Sequence, residues 1–290
     1  MKNNYRVLAL TLLLGSTLLT ACKKEDEIAP IEKQNFASAQ ATIDIITEIQ
    51  SLNGMLASAL PTTSGNPGGR IVGGIEEPSG GCGITTNYPL TGHTISTTLD
   101  FGTGTTCNGK VFKGKIIFTF LPPSPSGELG HTAQFDGYEF DGKKVEGSYV
   151  ITALINRTEK TFLLTTKFID VVLTYPDGTQ AKWNSNYKES VKYTEGPSVP
   201  SGNTNVSTMS GITSVEGGIT GTNRSGKQFS ANITSPLLID SACQKGYTKG
   251  TYLIKAADHP DALLDFGNGE CDNVATLTIN GKSQEITIQP

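Results

Sequence analysis

The chain has 290 residues, of which 36% are hydrophobic and 17% charged, with 33 glycines, five cysteines and a formal net charge of −4. That length can bury a core in one or two domains, and the acidic balance argues against a nucleic-acid partner. Abundant glycine and few helix-favouring runs point to β structure with many turns.

Lys2 and Arg6 precede an uncharged, mostly apolar run from Val7 to Leu19. At about a dozen residues the run suits the secretion machinery and is short for a membrane span, so residues 1–21 read as a cleaved signal. Its loss removes two of the 23 basic residues and none of the 27 acidic ones, moving the net charge from −4 to −6. Leu19-Thr20-Ala21-Cys22 resembles the bacterial lipobox. The resemblance implies a diacylglyceryl thioether on Cys22 and an acylated amino terminus, with outer-membrane lipid as the partner held through Cys22. Two or more acyl chains anchor stably where one does not. Residues 22–33 form an acidic tether, because the run Lys23-Lys24-Glu25-Asp26-Glu27 has nothing to bury. Lysine followed by acids directly after the cysteine is similar to the export signal of Bacteroidota surface lipoproteins, which implies an outer-membrane protein facing the cell exterior.

The spacing of Ala41, Ile45, Ile49, Leu52, Leu56 and Leu60 predicts one amphipathic helix over residues 34–60, with Thr42, Asp44, Thr47, Glu48 and Ser51 on the opposite side. The stripe lacks lysine and arginine and is read as packing on the parent domain. Pro61 ends the helix, and residues 61–81 form a linker rich in glycine, proline and serine.

From Cys82 the pattern is all-β: an antiparallel meander of about a dozen strands forming a sandwich, a barrel or an extended twisted sheet. Asn108-Gly109, Asp141-Gly142, Asp177-Gly178, Ser225-Gly226 and Asn280-Gly281 mark hairpin turns. Ile116, Phe118 and Phe120 share one face of a strand, with Lys113, Lys115, Ile117 and Thr119 on the other. Leu99-Asp100-Phe101-Gly102, followed by Cys107, reappears as Leu264-Asp265-Phe266-Gly267, followed by Cys271, and each copy has a cysteine upstream, Cys82 and Cys243. The repetition divides the region into two related units, 82–195 and 206–290, joined by a linker over 196–205. The exported address favours disulfides, and the repeated spacing selects Cys82–Cys107 and Cys243–Cys271 among three connectivities. These motifs, with Phe112-Lys113-Gly114-Lys115-Ile116-Ile117, Cys271-Asp272-Asn273 and Thr278-Ile279-Asn280-Gly281-Lys282, resemble a group of Bacteroidota lipoproteins with no assigned activity.

No catalytic constellation is legible. His93, His131 and His259 are widely separated, no cysteines stand at zinc spacing, and no cofactor or metal site is expected. Gly221 to Gln228 approaches a phosphate-binding loop, but Gln228 stands where serine or threonine would hold magnesium, so a hairpin turn is read there. After Asp177-Gly178, Trp183, Tyr187, Val191 and Tyr193 share a face with Ser185 and Glu189, while Lys182, Asn184, Asn186, Lys188, Ser190 and Lys192 take the other. The aromatic face is read as core; turned outward instead, Trp183, Tyr187 and Tyr193 would offer a platform to a glycan or a protein partner. Two functions follow, a lipid-anchored envelope protein with a binding or structural role, or a hydrolase whose carboxylates are assembled only by the fold. Non-reducing peptide mapping should recover Cys82–Cys107 and Cys243–Cys271; a cross-link from Cys82 to Cys243 or Cys271 would reject the two-unit reading.

Overall fold

The computed structural model describes residues 30–58, 85–87, 90–91, 94–107, 109–121, 128–156, 158–192, 211–243 and 245–288. The signal, Cys22, the tether up to residue 29, Leu60, the 61–81 linker, Cys82, His93, Tyr193 and the 196–205 linker lie outside the described residues. Among the described residues a single helix, α1 (Pro30–Ser58), precedes fifteen strands. They are β1 (Thr85–Asn87), β2 (Leu90–Thr91), β3 (Thr94–Asp100), β4 (Thr105–Cys107), β5 (Lys110–Leu121), β6 (Leu129–Phe140), β7 (Lys143–Asn156) and β8 (Thr161–Thr174). There follow β9 (Gln180–Lys192), β10 (Ile212–Thr222), β11 (Gln228–Asp240), β12 (Lys249–Ala256), β13 (His259–Asn268), β14 (Val274–Ile279) and β15 (Lys282–Thr287).

Every pairing is antiparallel, and the path runs β1-β3-β5 and then in chain order to β15, with β2 and β4 pairing off it to β3 and β5. β1 and β15 are its free ends, so the sheet is open. The turn dipeptides fall where hairpin chemistry places them. Asp141-Gly142 and Asn280-Gly281 have positive φ at both residues, as a two-residue turn of right-handed twist requires, and join β6 to β7 and β14 to β15.

The two expected units form one continuous sheet. β9 and β10 pair without a break from Val191↔Thr213 to Lys182↔Thr222, and residues of both halves share one core. The repeat itself is real at the level of local geometry. Asp100 Oδ1 accepts the Gly102 amide and Asp265 Oδ1 the Gly267 amide, each at 2.9 Å, with both glycines at positive φ. In each copy the flanking Leu and Phe are buried. Cys243 and Cys271 form the disulfide expected of the second copy, with Cα atoms 5.5 Å apart.

α1 differs from expectation in two ways. It starts at Pro30, where proline suits a first helical turn and Glu32 complements the helix dipole. Its buried surface is wider than one stripe. Phe36, Ala39, Ile43 and Ile46 are buried with Ile45, Ile49, Leu52 and Leu56, while Thr42, expected outside, is fully enclosed and Ala41 only half-buried. At 100° per residue the buried positions span roughly 200° of the circumference. Glu48 and Gln50, about 3 Å apart along the axis, reach Lys143 at the start of β7 and Tyr247 just before β12. In a flat sheet those strands, five spacings apart, would be separated by about 24 Å. The sheet therefore curls around the helix.

A row of β-bulges permits the curl. The extra residues fall on β6, β8, β11 and β13, and beside or opposite them Gly114 of β5, Gly137 of β6, Gly147 of β7, Asp170 of β8, Gly217 of β10 and Gly250 of β12 all take positive φ. Each bulge bends its strand, and neighbouring bulges lie close enough to act as one crease. At Gly217 a side chain is barred twice, by φ of +122° and by the Asn186 carbonyl oxygen, 2.1 Å from where a Cβ would sit. Gly217→Ala should cost at least about 3 kcal/mol in urea unfolding. Gly226→Ala, in a turn with open space around it, should cost only about 1–2 kcal/mol. Equal losses would show that Gly217 is not held against β9.

Candidate functional site

Strand alternation settles the aromatic face. Trp183 is 2% exposed and Val191 1%, Ser185 is buried, and Tyr187 packs against the core. The alternative that turned Trp183 and Tyr187 outward is therefore corrected: both lie on the core side of the sheet. The solvent side of β9 carries Lys182, Asn184, Asn186, Lys188 and Lys192, all exposed.

A groove crosses that outer face. On β10, Gly218 stands on this face between Asn186 of β9 and Asn232 of β11, so no side chain fills the space there. The result is a depression of about 740 Å³ floored by β10 and walled by Lys167, Asn184, Asn186, Glu216, Asn232 and Thr234. A second depression of about 440 Å³ reaches Asp170, Lys182, Thr222 and Gln228 on the same four strands. The Asp170 bulge is held by a reciprocal pair: its amide donates to Asn184 Oδ1 at 2.9 Å and Asn184 Nδ2 donates back to Asp170 Oδ1 at 3.1 Å. Amides, hydroxyls and balanced charges suit an extended polar ligand.

The geometry for hydrolysis is not assembled here. Asp170 lies beside Asn184, whereas Glu216 pairs with Lys188, four residues along β9. That separates these two carboxylates of the groove by about 13 Å or more, beyond the roughly 5–9.5 Å of either glycosidase arrangement. Ser38, Asp258 and His259 do meet, but Ser38 Oγ donates directly to Asp258 Oδ2 at 2.6 Å, and His259 Nδ1 is engaged with the Pro260 carbonyl at 2.6 Å. The imidazole therefore does not stand between serine and carboxylate as a relay requires. Burial lowers the His131 pKa to about 4, so it is neutral near pH 7, packed against Phe118 and Tyr149. Among the described residues no group of three or more His, Cys, Asp or Glu side chains could hold a metal ion.

The inner face carries polar contacts that periodicity does not reveal. Glu48 of α1 accepts from Lys143 Nζ at 2.7 Å and from the Tyr175 hydroxyl. Lys143 lies over the Phe140 and Tyr175 rings, and Arg224 stacks on the other part of this network, 3.8 Å from the Tyr175 centroid, while pairing with Asp177 at 2.7 Å. Burial, with Glu48 beside it, raises the Tyr175 pKa, so the phenol remains a donor. Two hairpin ends are thus fastened to one carboxylate on the helix, and Arg224 of a third packs on the Tyr175 ring. The sequence signal for the groove was the Gly217-Gly218 pair inside a strand pattern, which marks close backbone approach. Nothing local marks Glu48, whose partners are 95 and 127 residues away.

Compared with family models, curated proteins and solved structures, the chain matches none. Glu48→Ala should lower stability by roughly 1–3 kcal/mol in urea unfolding, since it strands a partly buried lysine and a buried phenol. Glu48→Gln, which keeps an acceptor for Tyr175, should lose less; an Ala variant as stable as wild type would mean the network does not hold α1.

Proposed function

We propose that this chain is a lipid-anchored protein of the cell envelope, held in the outer membrane through Cys22 and facing the exterior, and that it acts by binding. The partner is a glycan or a protein segment lying along the polar groove of β8 to β11, and no turnover is required of the chain. The observation that carries the reading is the lipobox-like Leu19-Thr20-Ala21-Cys22 followed, eight residues after the cysteine, by Pro30, the start of a helix that belongs to the core. Eight residues reach at most about 28 Å, so an anchor on Cys22 would keep the sheet near the bilayer surface. Because α1 is fastened to the sheet through Glu48, Ser38 and Gln50, a pull on the anchor would be transmitted to the folded body.

The groove supports the binding half of the reading. It is shallow, polar and extended, its carboxylates are too far apart to act together, and the aromatic residues are spent on the core. Metabolic labelling with an alkyne fatty acid should mark wild type and not Cys22→Ala, and protease added to intact cells should remove the folded part. Equal labelling of both proteins would overturn the anchor. Full protection of a protein that the same protease digests after purification would place it on the inner side of the outer membrane.

A further inference from the structure

Glu189 is the one carboxylate of β9 that points inward, opposite Leu164 of β8 and Val215 of β10. Tyr187, two residues before it, shares its face. Around them the Tyr252 hydroxyl donates to the Tyr187 hydroxyl at 3.4 Å, and Gln50 Nε2 donates to the Tyr247 hydroxyl at 2.8 Å. The Tyr149 hydroxyl donates to Asn53 Oδ1 at 3.1 Å. The titratable groups of this cluster are therefore Tyr149 from β7, Tyr187 from β9 itself, Tyr247 from the segment before β12, and Tyr252 from β12; α1 contributes the neutral Gln50 and Asn53. The Glu189 charge is felt by Tyr149 and Tyr247, whose pKa values are raised by burial first and by this carboxylate in addition. Burial pushes the Tyr187 phenol up to about 12.

Two features distinguish the cluster from ordinary core. Tyr149 and Tyr252 are each 1% exposed, but Gln50, Asn53, Tyr187, Glu189 and Tyr247 all keep part of their surface open. These inward-facing, part-exposed residues therefore border an opening between helix and sheet. Second, Glu189 forms no ion pair among the described residues, and the lysines of its own strand, Lys182, Lys188 and Lys192, are all on the outer face. A partly buried carboxylate without a counter-charge is disfavoured as the anion, which is why such groups pair or take up a proton.

We propose that this cleft binds a small organic ammonium ion, with the Glu189 carboxylate as its counter-ion and the surrounding tyrosines supplying ring faces and phenol oxygens. A cation answers the unmet charge directly. Tyrosine rings attract cations through their quadrupole, most strongly where water is excluded, and the hydroxyls accept N–H bonds from a primary amine. Burial raises the Glu189 pKa. The empty folded protein then holds that proton more tightly than the unfolded chain does. The group's contribution to stability is complete below the ordinary glutamate pKa and is lost as pH rises through the raised one. Binding of the ammonium ion should strengthen over the same interval as the carboxylate ionises.

Titration calorimetry of the purified protein with choline and with putrescine tests this, with ethylene glycol as the uncharged control. At least one ammonium ion should saturate at one per chain, more tightly at higher pH; choline alone would indicate an aromatic cage and putrescine alone a hydrogen-bonded amine site. Glu189→Gln should weaken binding about tenfold or more, the equivalent of one lost charge pairing. It should also leave the unliganded protein as stable as wild type or more stable at neutral pH, which a purely structural role would not produce. In wild type, carbon-detected NMR of the Glu189 carboxyl should show its pKa fall when the bound ion is added. Failure of both ammonium ions to saturate, unchanged binding in Glu189→Gln, or a Glu189 pKa unmoved by either ion would overturn the proposal.

Discussion

The inner face of a single-layered sheet needs a cover, and α1 is the cover this chain supplies. A thirteen-strand antiparallel path exposes one apolar face along its whole length, and two flat sheets packed together would have been one solution. Here the sheet bends around a helix instead. Most of what is distinctive in the chain, from the 200° buried arc of α1 to the bulges on β6, β8, β11 and β13, follows from that choice. The helix in turn has no stability of its own to spare, since isolated helices are marginal in water and draw their stability from the face they bury.

Bending has a chemical consequence on each side. On the convex side, the glycines that let β10 approach β9 and β11 leave a depression bordered by Asn184, Asn186 and Asn232. On the concave side, long polar groups are drawn into the space between helix and strands. Tyr149, Tyr247 and Tyr175 all satisfy their hydroxyls on α1, through Asn53, Gln50 and Glu48. Such contacts fix the rotation of the helix about its axis, which apolar packing over a 200° arc would leave loosely specified. Glu189 is the member of this inner polar set that has no partner of opposite charge among the described residues. The two candidate sites are thus opposite products of one architectural device.

Much of this was legible locally. Asp141-Gly142, Asp177-Gly178, Ser225-Gly226 and Asn280-Gly281 each sit at a turn between consecutive strands, because φ above zero is a property of one or two residues and needs no distant partner. The alternation of Trp183, Ser185 and Tyr187 with Lys182, Asn184 and Asn186 gave two faces, and the buried one is the aromatic one. The repeated Leu-Asp-Phe-Gly forms the same turn in both copies, with the same Asp-to-Gly hydrogen bond. Its spacing also identified Cys243 and Cys271 as a pair.

By itself, then, the sequence determined the strands, the turns, the helix and the second disulfide, because periodicity, glycine conformation and cysteine spacing act over a few to about thirty residues. Only the tertiary structure decided that the two β units are one sheet, that Thr42 is enclosed, and that Glu48 fastens two hairpin ends. It also decided that the groove lies on the face opposite Trp183. The physical reason is range: Ser38 meets Asp258 across 220 residues and Gln50 meets Tyr247 across 197. Which face of a strand becomes the inside, and which carboxylate is left without a counter-ion, depends on how far the whole sheet curls, a property that no window of sequence contains.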